Sequence, residues 1–206
     1  MLSLRTKKSS SVLPKVMTLA GIVLFCSGLY LLTLVGAPVI MPYVMSSSID
    51  PAKLESPKQN DNRIIIPKIG VNISYGEGEK SLNNGAWWRY PERGNPEKGG
   101  NFILAAHRFE IQPTPQATWE KSPFYRIEQL SIGDEVIVDY NGKRYGYKID
   151  ERKDVKPDQI EIEAASQTPK LTLYSCTLGG AKDGRIVLIA KPLGEVTIKN
   201  HPQPTS

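Results

Sequence analysis

Apolar and polar positions divide this chain into two regimes. No charged residue occurs from Val16 to Ile49, and Val16–Ile40 reads VMTLAGIVLFCSGLYLLTLVGAPVI. A bilayer core needs roughly 20 apolar residues of helix, and this run supplies them. Pro38 and Pro42 are expected at or beyond its far end, where a helix stops. Past Asn62 the texture changes to short β-prone runs punctuated by Gly, Pro and Asn. The pattern predicts strands at Arg63–Pro67, Val71–Tyr75, Asn101–Ala106, Glu135–Tyr140, Arg144–Asp150, Lys170–Ser175, Arg185–Lys191 and Val196–Lys199. Asn141-Gly142, between VIVDY and KRYGYKI, is a two-residue hairpin signal. Helical signals are brief: Ser81–Asn84, and Ser122–Leu130 with Phe124, Ile127 and Leu130 three residues apart. About eight strands in one domain of this size imply a mainly β, mostly antiparallel barrel or sandwich.

The domain boundaries follow from the same texture. We expect a cytoplasmic tail over 1–15, a transmembrane helix over 16–40 and an extracellular linker over 41–62. A β domain over 63–199 and a short tail over 200–206 complete the chain. Met45–Asn62 is rich in Ser, Pro, Lys and Asn and lacks apolar periodicity, so it reads as a tether. A cleavable signal peptide is the rival reading of the apolar run. Its apolar region would span only about 7–15 residues before a small-x-small cleavage site. The run here is longer, and Gly36-Ala37-Pro38 is a poor substitute for that site. A buried core helix is excluded by the lack of a polar face at helical spacing.

Charge sharpens the topology. The 206 residues carry 26 Lys+Arg against 21 Asp+Glu, a formal excess of +5. Four of the basic residues, Arg5, Lys7, Lys8 and Lys15, precede the apolar run, and the first acid is Asp50. The rest of the chain therefore holds 22 basic and 21 acidic residues, with no excess to suggest nucleic-acid binding. The positive-inside rule places the tail in the cytoplasm and the β domain outside, a single-pass protein of the cell membrane. Two cysteines exclude a disulfide scaffold and a Cys-rich zinc module.

Cys26 lies within the apolar run, which leaves Cys176 as the only cysteine of the exported domain. A lone thiol in an oxidising compartment is either a buried small hydrophobe or a reactive group. Its position between the strand KLTLYS and the loop TLGGAKDG favours a strand end. His107 ends the apolar run NFILAA, while His201 sits in the tail HPQPTS. A lone His after a strand is commonly structural, but a lone Cys and a lone His in one domain are the cue for thiol catalysis. Arg185 opens RIVLIAK. If that strand pairs antiparallel with LTLYSC, Cys176 and Arg185 share one rim of the sheet. A guanidinium there is either ordinary surface or a donor for an oxyanion. Trp87, Trp88 and Tyr90 fit core packing better than a binding platform. Glu77, Glu79, Glu110, Glu120 and Asp183 are scattered carboxylates, more simply solvated surface than a Ca²⁺ site, so no cofactor is expected. No phosphate-loop, HExxH or GxSxG motif is present.

Several of these residues together resemble a known family. Thr172-Leu173-Tyr174-Ser175-Cys176 is similar to the T-L-x-T-C signature of sortases, the membrane-anchored cysteine transpeptidases. Arg185, nine residues on, matches the family's arginine position. Gly100–Arg108, GNFILAAHR, resembles the family's run ending in G-H-R or G-H-N. Ile66–Val71 resembles the opening strand, and Phe124 to Val136 the central segment. Ser175 stands where Thr is usual, and Ala106 where Gly often precedes the histidine. The resemblance covers about residues 63–192. It implies a sortase-type eight-stranded β-barrel with short helices, with His107, Cys176 and Arg185 as catalytic residues. It also implies cleavage of a C-terminal LPXTG-like sorting motif through a thioacyl enzyme. The product would be joined to an amine from a cell-wall precursor or a pilin lysine. The single N-terminal anchor resembles class A, D or E arrangements, and no Asp-Pro-aromatic lid follows Asp50-Pro51-Ala52. An anchored β-domain that only binds a surface partner and a hydrolytic cysteine peptidase are the alternatives.

Overall fold

The computed structural model describes residues 12–44 and 49–196. Most of the expected basic tail, residues 197–199 of the last expected strand and the C-terminal tail with His201 lie outside the described residues. Helix α1 spans Val12–Val44, longer at both ends than expected, and carries Pro38 and Pro42 inside it. At about 1.5 Å per residue, 33 residues reach about 50 Å, beyond the roughly 30 Å of a bilayer core. The C-terminal part of the helix packs against the rest of the protein. Leu34, Ala37, Pro38 and Pro42 are its buried residues, while the rest of the helix is largely exposed. These lie towards α2 (Pro115–Glu120), where the Tyr30 hydroxyl also donates to the Pro113 carbonyl. It is the one helix among the described residues long and apolar enough to cross a membrane.

The domain is built from nine strands. They are β1 (Arg63–Ile66), β2 (Val71–Glu77), β3 (Gly85–Arg89), β4 (Gly94–Asn95), β5 (Gly99–Ala105), β6 (Glu135–Tyr140), β7 (Lys143–Val155), β8 (Lys170–Thr177) and β9 (Gly180–Glu195). Their order is β3-β2-β1-β6-β7-β9-β8-β5-β4, and an additional β3–β5 pairing closes eight of them into a barrel. The two-residue β4 only extends the β5 edge. Pairing is antiparallel except for β2–β3 and β5–β8. The expected hairpin is present: Tyr140 pairs with Lys143 across Asn141-Gly142, both with positive φ.

Three expectations change. Of the strand expected at Val196–Lys199 only Val196 is described, just past the end of β9 at Glu195. The eighth member of the ring is GAWWR, which was not among the expected strands; it has no clean alternation and begins at a glycine. A Cβ at Gly85 would stand 2.0 Å from the Ser74 carbonyl oxygen, so the parallel approach of β3 to β2 requires glycine. The expected helix at Ser122–Leu130 is only a 3-10 turn at Ile127–Gln129, and α2 lies just before it. Glu79–Asn83 likewise forms a 3-10 turn in place of the helix expected at Ser81–Asn84.

Alternation sorts each strand into an inner and an outer row. Phe102 and Leu104, Leu171 and Leu173, and Ile186, Leu188 and Ala190 fill the barrel. Ile103, Ala105, Tyr174 and Val187 form a second, outer cluster. Trp88 packs edge-on against Tyr75, Phe102 and Tyr140 inside, whereas Trp87 lies under the Arg89 guanidinium, 4.5 Å from its ring centre. The tryptophan pair is thus divided between core and outer surface.

The tether is packed where it is described. Arg144 Nη2 donates to the Glu55 carbonyl at 2.8 Å, and Asn141 N–H donates to Asn62 Oδ1 at 3.1 Å. Arg144 also holds Asp139 through Nε and Nη2 at 2.6 and 2.7 Å, with both side chains about 5% exposed or less. Asn101, fully buried, donates through Nδ2 to the Ile162 and Ala164 carbonyls and accepts from Thr172 Oγ1. It thereby straps the connection between β7 and β8 to the barrel.

Two outcomes follow. Asp139→Ala leaves the Arg144 guanidinium buried without its counter-ion and should lower the urea unfolding free energy by about 3–5 kcal/mol. Asn101→Ala removes the strap, at about 0.5–1.5 kcal/mol for each bond. Hydrogen exchange should accelerate across 159–169 while the β6–β7 hairpin keeps its protection; equal acceleration in both would show that the strap is not local.

Candidate active site

The three residues singled out by chemistry converge at one end of adjacent strands. Cys176 pairs directly with Arg185 across β8 and β9. Directly opposed residues project to the same face. That face is the outer one, because Tyr174 and Val187 in the same rows belong to the outer cluster. Cys176 is a free, partly exposed thiol. Immediately beyond it the ladder breaks register: Thr177 pairs with Gly180, which leaves 181–184 as a bulge. The expected loop over 177–184 is therefore a tight Leu178-Gly179 turn followed by a bulge. The Thr177 hydroxyl donates to the Asp183 carboxylate within it.

Arg185 holds this bulge. Its Nη1 donates to the carbonyls of Ala181 at 2.7 Å and Gly184 at 3.0 Å. Nε and Nη2 make no hydrogen bond among the described residues, so half of the guanidinium fork remains available beside the thiol.

His107 enters from β5, the parallel neighbour of β8. Ala105 pairs with Tyr174, and Ala106 N–H donates to the Tyr174 carbonyl at 3.3 Å. The Ser175 hydroxyl donates to the Ala106 carbonyl at 2.7 Å, from a side chain buried on the barrel side. These bonds tie the residue before the histidine to the two residues before the cysteine. His107 is pinned from the other side by Phe124 N–H, which donates to its carbonyl at 3.1 Å. Phe124 is fully buried, so the loop between them is anchored in the core.

The imidazole has a partner that sequence reasoning left among the scattered acids. His107 Nε2 lies 3.1 Å from Glu110 Oε2, both side chains about one-third exposed. Gln112 donates to the other oxygen of that carboxylate at 2.7 Å, and Glu110 N–H donates to Ser122 Oγ. Nothing in a chain read residue by residue marks Glu110, since the loop that folds it back follows no periodic pattern. Arg108, which closes the GNFILAAHR run, is buried and reaches Glu128 at 2.9 Å directly after the histidine.

A second polar cluster adjoins Cys176 on the outer face. Arg89 Nη1 donates to the Tyr174 hydroxyl at 2.6 Å and lies 2.8 Å from Glu163 Oε1; the Tyr174 hydroxyl in turn donates to Glu163. Burial, reinforced by the bond to Glu163, pushes the Tyr174 hydroxyl well above the usual phenol range, so it stays a donor. Burial opposes the charge on Arg89, but Tyr174 and Glu163 outweigh it and hold the guanidinium protonated. Among the described residues no group of three or more His, Cys, Asp or Glu could hold a metal ion.

Comparison with known proteins bears on the family and the fold. A family model described as a sortase domain matches residues 64–193. No curated protein sequence matches the chain. Among solved structures, Listeria monocytogenes sortase A is 19% identical with a TM-score of 0.55, over 69% of this chain and 92% of that one. A Clostridium perfringens sortase D5 transpeptidase is 22% identical with a TM-score of 0.53, over 81% of this chain and 99% of that one. Streptococcus agalactiae sortase C1 is 22% identical with a TM-score of 0.55, over 76% of this chain and 79% of that one. At these identities the structures speak for the fold, and they span classes A, C and D without selecting one. With the family match extending over most of the closed barrel, the chain belongs to the sortase family.

Proposed function

We propose that this protein is a cell-surface transpeptidase that uses Cys176 as nucleophile, His107 as general acid and base, and Arg185 as the oxyanion donor. The observation that carries the reading is the direct pairing of Cys176 with Arg185 on the outer face, beside the strand that delivers His107. The donor is a surface protein with a C-terminal sorting motif of the LPXTG type. The acceptor is an amine from a cell-wall precursor or a pilin lysine. Helix α1 anchors the domain, with the basic tail in the cytoplasm and the barrel outside.

The reaction runs in two halves. The Cys176 thiolate attacks the carbonyl carbon of the residue at the scissile bond, and the carbonyl oxygen becomes an oxyanion beside the free side of the Arg185 fork. Collapse breaks the C–N bond, and the leaving amine takes its proton from the His107 imidazolium. A thioester to Cys176 remains. The acceptor amine then attacks that carbonyl, His107 removes the surplus proton, and the thiolate departs as the new amide forms. The reacting form pairs a thiolate with an imidazolium, because the thiolate is the nucleophile and the leaving amine needs a proton.

Cys176→Ala should abolish both cleavage of a sorting peptide and transfer to an added amine; turnover at the wild-type rate would overturn the assignment. Arg185→Ala should lower the cleavage rate about 100–1000-fold, the usual loss for one oxyanion donor. Alkylation of Cys176 by a membrane-impermeant reagent on intact cells should still proceed in that variant. Incorporation of the added amine into product separates transfer from a hydrolytic peptidase.

A further inference from the structure

Beside Arg185 the outer face hollows into a cavity of about 300 Å³, bounded by β3, β8, β9 and the connection over 156–163. Its charge is lopsided. Arg89, Arg93, Lys156 and Arg185 line it against one acid, Glu163. That carboxylate is occupied by Arg89 and Tyr174, as described above. Arg93 is largely committed too: Nη1 donates to the Glu163 carbonyl, the guanidinium lies 3.7 Å from the Tyr90 ring centre, and Nε is 3.8 Å from the exposed Glu92. Tyr90 is held in the left-handed region, φ 51°, at the end of β3. Its ring lies beside both Arg89 and Arg93. Lys156 and Arg185 have no carboxylate within 4 Å among the described residues. The cavity therefore holds uncompensated positive charge, faced on one wall by Pro157, Ile160 and Ile162.

We propose that this cavity receives the acidic side chain of the donor peptide at the residue just before the one whose carbonyl Cys176 attacks. The placement follows from the strand. Tyr174, which lines the cavity, is the next outward residue from Cys176, about 6–7 Å away at a rise of about 3.3 Å per residue. An extended peptide advances at the same rate, so the cavity lies one to two residues from the scissile carbonyl. In an LPXTG-type motif that is the variable position, whose side chain the motif leaves open. The apolar wall takes the methylenes of a glutamate, and Lys156 faces its carboxylate. Specificity at that position then comes from charge, an interaction that salt screens. The inference rests on the transpeptidase reading for the identity of the donor.

The test uses three peptides, Leu-Pro-Glu-Thr-Gly, Leu-Pro-Gln-Thr-Gly and Leu-Pro-Lys-Thr-Gly, within the same flanking sequence. Binding is measured to the Cys176→Ala protein, and cleavage is measured on the wild type. No acceptor amine is present, so an acceptor carboxylate cannot produce a preference. At low ionic strength the glutamate peptide should bind about 2- to 5-fold more tightly than the glutamine peptide, the effect of one exposed charge pair. The preference should shrink in added salt. Lys156→Glu, a change at an exposed side chain, should abolish it and favour the lysine peptide. Equal binding of the three peptides to Cys176→Ala, or a glutamate preference that survives Lys156→Glu, would overturn the proposal. A glutamate preference in binding without cleavage by the wild type would instead sink the transpeptidase reading and leave the carboxylate site standing.

Discussion

Pairing of Trp87–Arg89 with Ile103–Ala105 closes the barrel, and the placement of every functional side chain depends on that closure. An open sheet would leave two edges and a single face to cover. In a ring, alternate residues point inside or outside along each strand, except where a bulge shifts the register. Phe102 and Leu104 are committed to the interior, so Ile103 and Ala105 are committed to the exterior. The same parity carries Tyr174 and Cys176 outward from β8. The core thereby dictates which residues are available for chemistry, although none of the reacting groups contributes to it.

Closure also decides what surrounds the thiol. Two pairings are parallel: β5 with β8, which joins distant parts of the chain, and β2 with β3, which joins consecutive strands. The first sets His107 and Cys176 at the same end of neighbouring strands; an antiparallel pairing would have sent them to opposite ends. The closing β3–β5 pairing sets Arg89 opposite Ile103 on the outer face, where it supports Tyr174 and Glu163. Positive charge is thus concentrated on one side of Cys176. On the other side, the Glu110 carboxylate stands against the histidine. A thiol flanked by groups of opposite charge suits the proposed reaction, in which an oxyanion and an imidazolium both appear. The low-polarity barrel beneath adds no competing solvent from that direction.

Legibility of the fold was uneven, for identifiable reasons. Strands with alternating or continuous apolar runs, such as Asn101–Ala106 and Lys170–Ser175, were readable because their own residues carry the burial. The Asn141-Gly142 turn was readable because its backbone demands positive φ. Gly85–Arg89 was not, because its strand character comes from partners in β2 and β5 and from a glycine required for close approach. The second half of β7, ERKDV, was missed because it is polar and owes its extension to β9. The helix expected around Phe124, Ile127 and Leu130 shows the converse: three-residue spacing that serves successive 3-10 turns anchoring a loop in the core.

By itself the sequence determined the local properties of this protein. These are a charge-free apolar run behind a basic tail, a β-rich domain, and one cysteine, one histidine and one arginine at strand ends. Each depends on residue type and spacing within a few positions. Tertiary structure alone decided the remainder: the eighth strand of the ring, the packing of the tether and of the end of α1, the Glu110 partner of His107, and the basic cavity beside Arg185. Those features join residues tens of positions apart, and no local pattern encodes which distant strand a segment will pair with. Only the closed set of hydrogen-bonded neighbours does.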